Sequence, residues 1–241
     1  MPSSPATDAA APDTVLSVVV PVYNEAATVA DVLGRVLATP LPVQLEVIAV
    51  DDGSADGSAT ILDGIDDPRL RVIRHAANAG KGAAIRTGLA AATGDIVVIQ
   101  DADLEYDPAD WAELLPPLLA GEVDVVYGSR FMGSPVGMQW QNRWANRFLS
   151  GLTSVLYRRR LTDMETCYKL IRRSVFTSLD LSADRFDIEP EITAQLLRRG
   201  IEIRELPISY AARSHEDGKK IGYRDGLAAI RTLIRWRFAR L

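Results

Sequence analysis

The chain has 241 residues, 47% of them hydrophobic and 24% charged, with 17 Gly and 13 Pro. That is the composition of an ordinary globular protein of one large α/β domain, and it excludes collagenous, coiled-coil and wholly disordered chains. The apolar runs are far shorter than the about 20 residues of a membrane span, so no transmembrane helix is expected. The single cysteine, Cys167, has no second thiol to bridge and no histidine cluster with which to build a zinc site. Residues 1–14 lack the basic and apolar regions of a secretory signal and read as a Pro-, Ala- and Ser-rich disordered tail, which predicts a cytoplasmic protein.

Net charge is −5, unevenly spread: through Ser129 there are 6 basic and 20 acidic residues, and from Arg130 onward 21 basic and 12 acidic, giving halves of −14 and +9. Such asymmetry describes either a basic surface facing an anionic membrane, nucleic acid or phosphorylated substrate, or a merely solvated arginine-rich face.

In chain order, residues 16–22 form a β-branched strand, and Val29, Val32, Leu33, Val36 and Leu37 mark an amphipathic helix ending near Pro40 and Pro42. Strand 45–50 stops at Asp51-Asp52-Gly53-Ser54. A helix over 58–65 follows, then strand 70–73, helix 83–92, strand 96–100, helix 111–119 and strand 123–127. Strands alternating with helices of about ten residues predict a mostly parallel sheet flanked by helices. Beyond Arg130 come a Gly- and Pro-bearing loop at 133–137, a helix over 141–157, strand 168–171, helix 190–199 and strand 203–207. Residues 222–241 read as a basic amphipathic helix appended to a domain of residues 15–221.

In open α/β sheets ligands bind beyond the carboxyl ends of the strands. Those ends carry Tyr23, Asn24 and Glu25, then Asp51 and Asp52, then Asp101 and Asp103, then Ser129 and Arg130. Carboxylates gathered at one edge repel one another unless a cation joins them. Asp101-Ala102-Asp103, ending a buried strand, presents two carboxylates to a Mg²⁺ or Mn²⁺ that also bridges substrate phosphates, with Glu105 near enough to be a third ligand. Two other phosphate motifs fail. Gly80-Lys81-Gly82 imitates a dinucleotide fingerprint, but Ile85 stands at its third glycine; as a P-loop it lacks the Ser or Thr after the lysine.

Five motifs occur in order: V-V-V-P-V-Y-N-E (18–25), V-D-D-G-S (50–54), N-A-G-K-G-A-A-I-R-T-G (78–88), G-D-I-V-V-I-Q-D-A-D (94–103) and G-S-R-F (128–131). Together they strongly resemble family 2 glycosyltransferases, and within them the dolichol- and polyprenyl-phosphate sugar transferases. The resemblance covers about residues 16–223. It implies a GT-A fold, a nucleotide-sugar donor, a divalent metal and inversion at the anomeric carbon. Carried over by position, Pro21, Tyr23 and Glu25 would meet the donor base and ribose, Asp52 the nucleotide, and Lys81 and Gly82 the turn beneath it. Asp101 and Asp103, flanking Ala102, match the metal pair. Glu105 stands where the mannosyl enzymes closest in pattern carry Gln, which adds negative charge to the metal shell. Arg130 would meet the acceptor phosphate with Arg143 or Arg147, while Arg213 and Lys219 would clamp the donor diphosphate and His215 would touch it.

The chemistry asks for these residue types. Leaving of a nucleoside diphosphate develops charge that a divalent cation, Arg213 and Lys219 would stabilise. A phosphate acceptor is already anionic and needs positioning by arginines, whereas a hydroxyl acceptor needs a general base. T-D-M-E-T-C-Y-K (162–169) supplies Asp163 and Glu165 for such a base, and equally resembles the D-x-x-x-G-F/Y-K/R element of the lipid-phosphate enzymes. Asp163 is thus a base, a donor-sugar contact or a turn-former.

Trp140, Trp144, Phe148 and Leu152 recur at four-residue spacing beside Arg143 and Arg147, describing either a membrane-interface face or a helix packed on the sheet. The terminal segment sets Leu227, Ile230, Leu233, Ile234 and Phe238 against four arginines, as an interfacial anchor, a core-closing helix or a dimer contact. Members of the resembled family often continue here into transmembrane helices, so with a lipid acceptor a chain stopping at Leu241 is expected to dock reversibly. His75, Cys167, Trp111 and Trp236 read as structural residues.

The prediction is a single GT-A domain with a seven- or eight-stranded mixed sheet. It would act as a metal-dependent inverting transferase that moves a hexose from GDP-mannose or UDP-glucose to a polyprenyl or dolichyl phosphate at the cytoplasmic membrane face. A soluble or glycan hydroxyl acceptor is the alternative among enzymes, and a non-catalytic nucleotide-sugar-binding or membrane-interaction protein the alternative of another class. No nucleic-acid partner is expected, and a homodimer is compatible with the pattern.

Overall fold

The β-branched run near the N-terminus becomes the spine of the domain. In a computed structural model, which describes residues 13–213 and 223–239, β1 (Val15–Val22) lies inside the sheet with residues 16–20 fully buried. Branched side chains suit a pleated strand covered on both faces. β2 (Gln44–Asp51) and β4 (Ile96–Ile99) flank β1 in parallel, and β3 (Leu70–Arg74) adds a parallel strand outside β2. β5 (Val125–Ser129), β6 (Lys169–Arg172) and β7 (Arg204–Pro207) complete the order β3-β2-β1-β4-β6-β5-β7. β6 runs antiparallel to both β4 and β5, which makes the sheet mixed, with seven strands among the described residues.

The helices differ from the expected boundaries for local reasons. α1 (Val29–Ala38) buries Val29, Val32, Leu33 and Val36 against the sheet, and α2 (Ser58–Asp63) follows β2. α3 (Lys81–Ala91) starts two residues earlier than the sequence pattern indicates. Gly80 takes φ +105°, and a Cβ on Gly80 or Gly82 would collide with the carbonyls of Asp184 or Ala183, so these glycines let the 183–185 backbone lie directly on the start of the helix. The single helix expected over 111–119 is two short ones, α4 (Trp111–Leu114) and α5 (Pro116–Leu119). Pro116 and Pro117 cannot donate backbone hydrogen bonds to the preceding turn. α6 (Trp140–Tyr157), α7 (Arg173–Phe176), α8 (Ile188–Arg198) and α9 (Tyr223–Phe238) follow.

A second, smaller core joins α6, α8 and α9 around Leu149, Met164, Ala194, Leu233 and Trp236. Tyr157 donates its hydroxyl to the Leu233 carbonyl at 2.7 Å, and Trp236 Nε1 donates to Glu191 at 3.1 Å. Two expectations for these helices need correction. Leu233 points into the core while Leu227, Ile234 and Phe238 face outward, so the terminal apolar residues do not share one side. On α6 the outward stripe is Trp140, Trp144, Phe148 and Val155, with Leu152 turned toward the second core. Trp111, Trp236 and Cys167 are buried, as their structural reading requires.

Candidate active site

The carboxyl ends of β1 and β2 are laced together. Asn24, in the left-handed region at φ +52°, accepts the Ala55 N–H at 2.9 Å through its side chain, and its own N–H donates to Ser54 Oγ at 3.0 Å. The Glu25 N–H donates to Ser58 Oγ at 2.9 Å. Tyr23 stands exposed at the rim, beside Pro21 and the end of β1. Asp52 is buried and uses both oxygens within the protein: it accepts from the Asn78 amide (2.9 Å) and from the backbone N–H groups of Ala79 (2.9 Å) and Gly80 (2.8 Å). His75 Nδ1 lies 2.6 Å from the same carboxylate, and its Nε2 lies 2.9 Å from Thr87 Oγ1. Asp52 therefore shapes the loop that opens α3.

Beyond β4 lies the acidic centre. Asp101 is held by Lys81 Nζ, at 2.7 and 3.0 Å from its two oxygens. Lys81 also lies 3.4 Å from Glu189 of α8, whose other oxygen is 2.5 Å from Lys169 of β6. Burial works against the Lys81 charge, but the facing carboxylates of Asp101 and Glu189 hold its pKa well above the usual lysine range. Glu105 accepts the Tyr210 hydroxyl at 2.6 Å on one oxygen and the Arg213 N–H at 3.0 Å on the other. Arg213 then spans the site: Nη2 donates to Glu25 Oε2 at 2.7 Å, and Nε donates to the Asp103 carbonyl at 2.7 Å and lies 4.0 Å from Asp103 Oδ2. Thr28 Oγ1, donating to the Ala102 carbonyl at 2.6 Å, fixes the turn between the two aspartates.

Asp101, Asp103 and Glu105 are thus neighbours along the chain, but among the described residues no three acidic, histidine or cysteine side chains converge as a ready cation site. Lys81 occupies Asp101, and the Tyr210–Arg213 segment occupies Glu105. Asp103 is about as exposed as Asp101, 23% against 20%, but among the described residues its Oδ1 accepts only the Glu105 N–H at 3.2 Å and its Oδ2 lies 4.0 Å from Arg213 Nε. Lys219 and His215 lie outside the described residues.

Beyond β5, Arg130 and Asp163 form a buried pair. The guanidinium also faces the rings of Tyr210 at 5.3 Å and Phe131 at 5.8 Å, and Arg147 of α6 covers the same Phe131 ring at 5.5 Å. Arg143, one turn earlier on α6, is exposed. Glu165 Oε1 is buried and has no hydrogen-bond partner among the described residues. Burial pushes the Glu165 carboxyl up to about 7; Lys169 and Arg130 draw it down, and Glu189 and Asp163 push it up. Sequence reasoning missed the pairing of Arg130 with Asp163, the Lys81–Glu189–Lys169 chain and Tyr210. The buried charges at strand ends were the available signal, but not which would meet.

Residues 17–179 match the model of glycosyl transferase family 2. The chain belongs to that family. It is 31% identical over 204 residues to glycosyltransferase AglD of Haloferax volcanii, covering 81% of this chain and 33% of that protein. It is 32% identical over 209 residues to the undecaprenyl-phosphate 4-deoxy-4-formamido-L-arabinose transferase of Edwardsiella ictaluri, covering 85% and 62%. With the polyprenol monophosphomannose synthase of Mycolicibacterium smegmatis it shares 30% identity over 211 residues, 81% of this chain and 77% of the other. This family 2 chain therefore spans a third of the length of the first of these relatives and just under two thirds of the second. Among solved structures, glucosyl-3-phosphoglycerate synthase from Mycobacterium tuberculosis, in complex with Mn²⁺, UDP and glucosyl-3-phosphoglycerate, matches with a TM-score of 0.72 at 23% identity, over 92% of this chain and 80% of that one. The fold is accordingly GT-A-like.

Proposed function

We propose that this chain transfers a hexose, with inversion, from GDP-mannose or UDP-glucose to a polyprenyl phosphate, working peripherally at the inner face of the membrane. The observation that carries the reading is the span of Arg213 from Glu25 to Asp103 at the carboxyl edge of the sheet, which brings together three residues that the sequence motifs assign to the donor. The relatives named as undecaprenyl-phosphate transferase and polyprenol monophosphomannose synthase support the acceptor class. Complexes of the structural neighbours with UDP and Mn²⁺ or Mg²⁺ support the donor and metal classes.

The side chains of Asp101, Asp103 and Glu105 offer oxygen donors alone, the chemistry a hard divalent cation takes, and Asp103 Oδ2 stands 4.0 Å from its nearest cationic neighbour among the described residues, Arg213 Nε, rather than closed in an ion pair. Asp103 would hold Mg²⁺ or Mn²⁺, with Asp101 and Glu105 as the nearby carboxylates; when bound, the cation neutralises charge on the leaving diphosphate. Arg213 shares that task from the other side, and Lys219 joins it in this reading. Pro21, Tyr23, Glu25 and Asp52 border the base and ribose, and Lys81 and Gly82 the turn beneath. Arg130, its orientation fixed by Asp163, receives the anionic acceptor oxygen with Arg143 and Arg147, so the attacking atom needs no proton removed. One observation favours a second reading: Glu165 Oε1 has no hydrogen-bond partner among the described residues, and burial pushes its carboxyl up to about 7, which suits a general base for a hydroxyl acceptor.

The deciding assay is release of nucleoside diphosphate from GDP-mannose and UDP-glucose with Mn²⁺, with and without a short-chain polyprenyl phosphate, using Asp103→Ala as control. Release that depends on the lipid phosphate and is lost in the variant is the expected result. Release stimulated only by hydroxyl acceptors would replace it with the second reading, and silence with all donors would leave a non-catalytic binding protein.

A further inference from the structure

Beyond β7 the chain turns back across the carboxyl edge of the sheet, and its backbone is pinned there. Ser209 N–H donates to Asp110 Oδ2 at 2.8 Å, Ala211 N–H to the Glu105 carbonyl at 3.0 Å and Ala212 N–H to the Val136 carbonyl at 2.9 Å. The side chain of Glu105 meets the same segment twice: Oε2 accepts the Tyr210 hydroxyl at 2.6 Å, and Oε1 accepts the Arg213 N–H at 3.0 Å. The Tyr210 ring has little freedom of its own. It is buried, stands edge-on to Tyr106 with centroids 5.4 Å apart, and faces the Arg130 guanidinium at 5.3 Å.

A carboxylate suits this place for a chemical reason. A backbone N–H can only donate, and a carboxylate takes it on one oxygen while the other takes a hydroxyl, both bonds strengthened by the charge. A carboxamide has one accepting oxygen, so its NH₂ would force the Tyr210 hydroxyl to accept, and the charge would be gone. The Gln of the mannosyl enzymes would therefore not make this pair of bonds. The aim of Arg213 follows from them. Glu105 fixes where the arginine leaves the backbone, and its guanidinium then reaches Glu25 Oε2 and the Asp103 carbonyl, each at 2.7 Å. Asp103 differs from Glu105 in that its Oδ2 comes no nearer than 4.0 Å to that guanidinium.

We propose that Glu105 and Tyr210 form a latch that positions Arg213 for the leaving diphosphate, which makes Glu105 a positioning residue of the transfer and not a ligand of the cation. That Arg213 meets the diphosphate rests on the reading above; the latch itself does not.

The test compares the full chain with Glu105→Gln, Glu105→Ala and Tyr210→Phe, the last of which removes the hydroxyl and keeps the ring against Arg130. Calorimetric binding of GDP and UDP in the presence of Mn²⁺ should weaken about tenfold in Glu105→Gln and in Tyr210→Phe, as for the loss of one charge-assisted hydrogen bond. The double variant Glu105→Gln/Tyr210→Phe should bind no more weakly than either single one, because both remove the same bond. Affinity for Mn²⁺ alone, read by electron paramagnetic resonance, should match the wild type in Glu105→Gln and be lost in Asp103→Ala. Wild-type nucleotide affinity in the single variants overturns the proposal, since a merely structural bond would lower the thermal midpoint and leave the folded site intact. Additive losses in the double variant overturn it too, as does a fall in Mn²⁺ affinity with Glu105→Gln. A wild type that binds neither GDP nor UDP overturns the donor reading instead, and the latch is then decided by hydrogen exchange. The Arg213 amide should exchange about tenfold faster in Glu105→Ala, and unchanged protection there overturns the latch.

Discussion

Arg130 grips Asp163 through two parallel hydrogen bonds, Nε to Oδ2 at 2.7 Å and Nη2 to Oδ1 at 2.8 Å, and its backbone N–H adds a third to Oδ2 at 3.0 Å. Removing one partner of a buried pair strands the other charge. Asp163→Ala is expected to cost about 3–5 kcal/mol in urea unfolding, because the guanidinium stays buried without its partner. Asp163→Asn, which keeps the shape, should cost less and raise KM for the phosphate acceptor more than it lowers kcat, the signature of a misaimed arginine. An unchanged KM in that variant would sink the positioning role.

The two aspartates after β4 should separate in their effects. Asp103 stands 4.0 Å from its nearest described cationic group, where Asp101 lies 2.7 Å from Lys81, so Asp103→Ala should lower nucleoside diphosphate release by about 100-fold or more with little change in thermal midpoint. Asp101→Asn instead weakens the hold on partly buried Lys81, and about 1–3 kcal/mol of stability should go with it. Equal stability losses in the two variants would contradict this division.

Glu165 ties stability to pH. Its carboxyl is raised from 4.5 to about 7 in the folded chain. Between those values the unfolded chain has given up this proton while the folded chain keeps it, so stability falls as pH rises through that window and the contribution levels off above about 7, by at most about 3 kcal/mol. Glu165→Gln should remove that slope in urea titrations at pH 5, 6, 7 and 8. A wild-type slope that survives in the variant would assign the dependence to another group.

Asp52 gathers three N–H donors from the loop ahead of α3. Asp52→Ala should cost about 2–4 kcal/mol and deprotect the Ala79 and Gly80 amides from hydrogen exchange, with donor affinity falling in step. Protection that persists at those two amides would mean the loop is held by something else.

The first half of the fold was legible because its signals are local. Val18, Val19 and Val20 read as a buried strand, and the apolar spacing from Val29 to Leu37 reads as a helix, since period and burial coincide there. The insertion of β6, a four-residue strand reversed between β4 and β5, has no periodic signature; only the completed sheet specifies it. The site divides in the same way. Its strand-end carboxylates could be picked out of the sequence as a group, but Arg213 reaches Glu25 across 188 positions and Arg130 meets Asp163 across 33, and charge type alone does not choose partners at such separations. The stripe on α6 was visible as a period, yet its direction was not, because an apolar face ordinarily turns inward and this one turns out.

The reversed strand also sets a timetable for synthesis. On a ribosome β1 to β4 emerge first, and β4 then presents a bare edge of unpaired N–H and C=O groups until residues 169–172 arrive, about 70 residues later. At about 5–20 residues per second that interval lasts several seconds, during which the half-made sheet offers a template to any other nascent strand. A truncated chain ending near Arg130 would keep that edge permanently, and a chaperone that shields strand edges would find its client there.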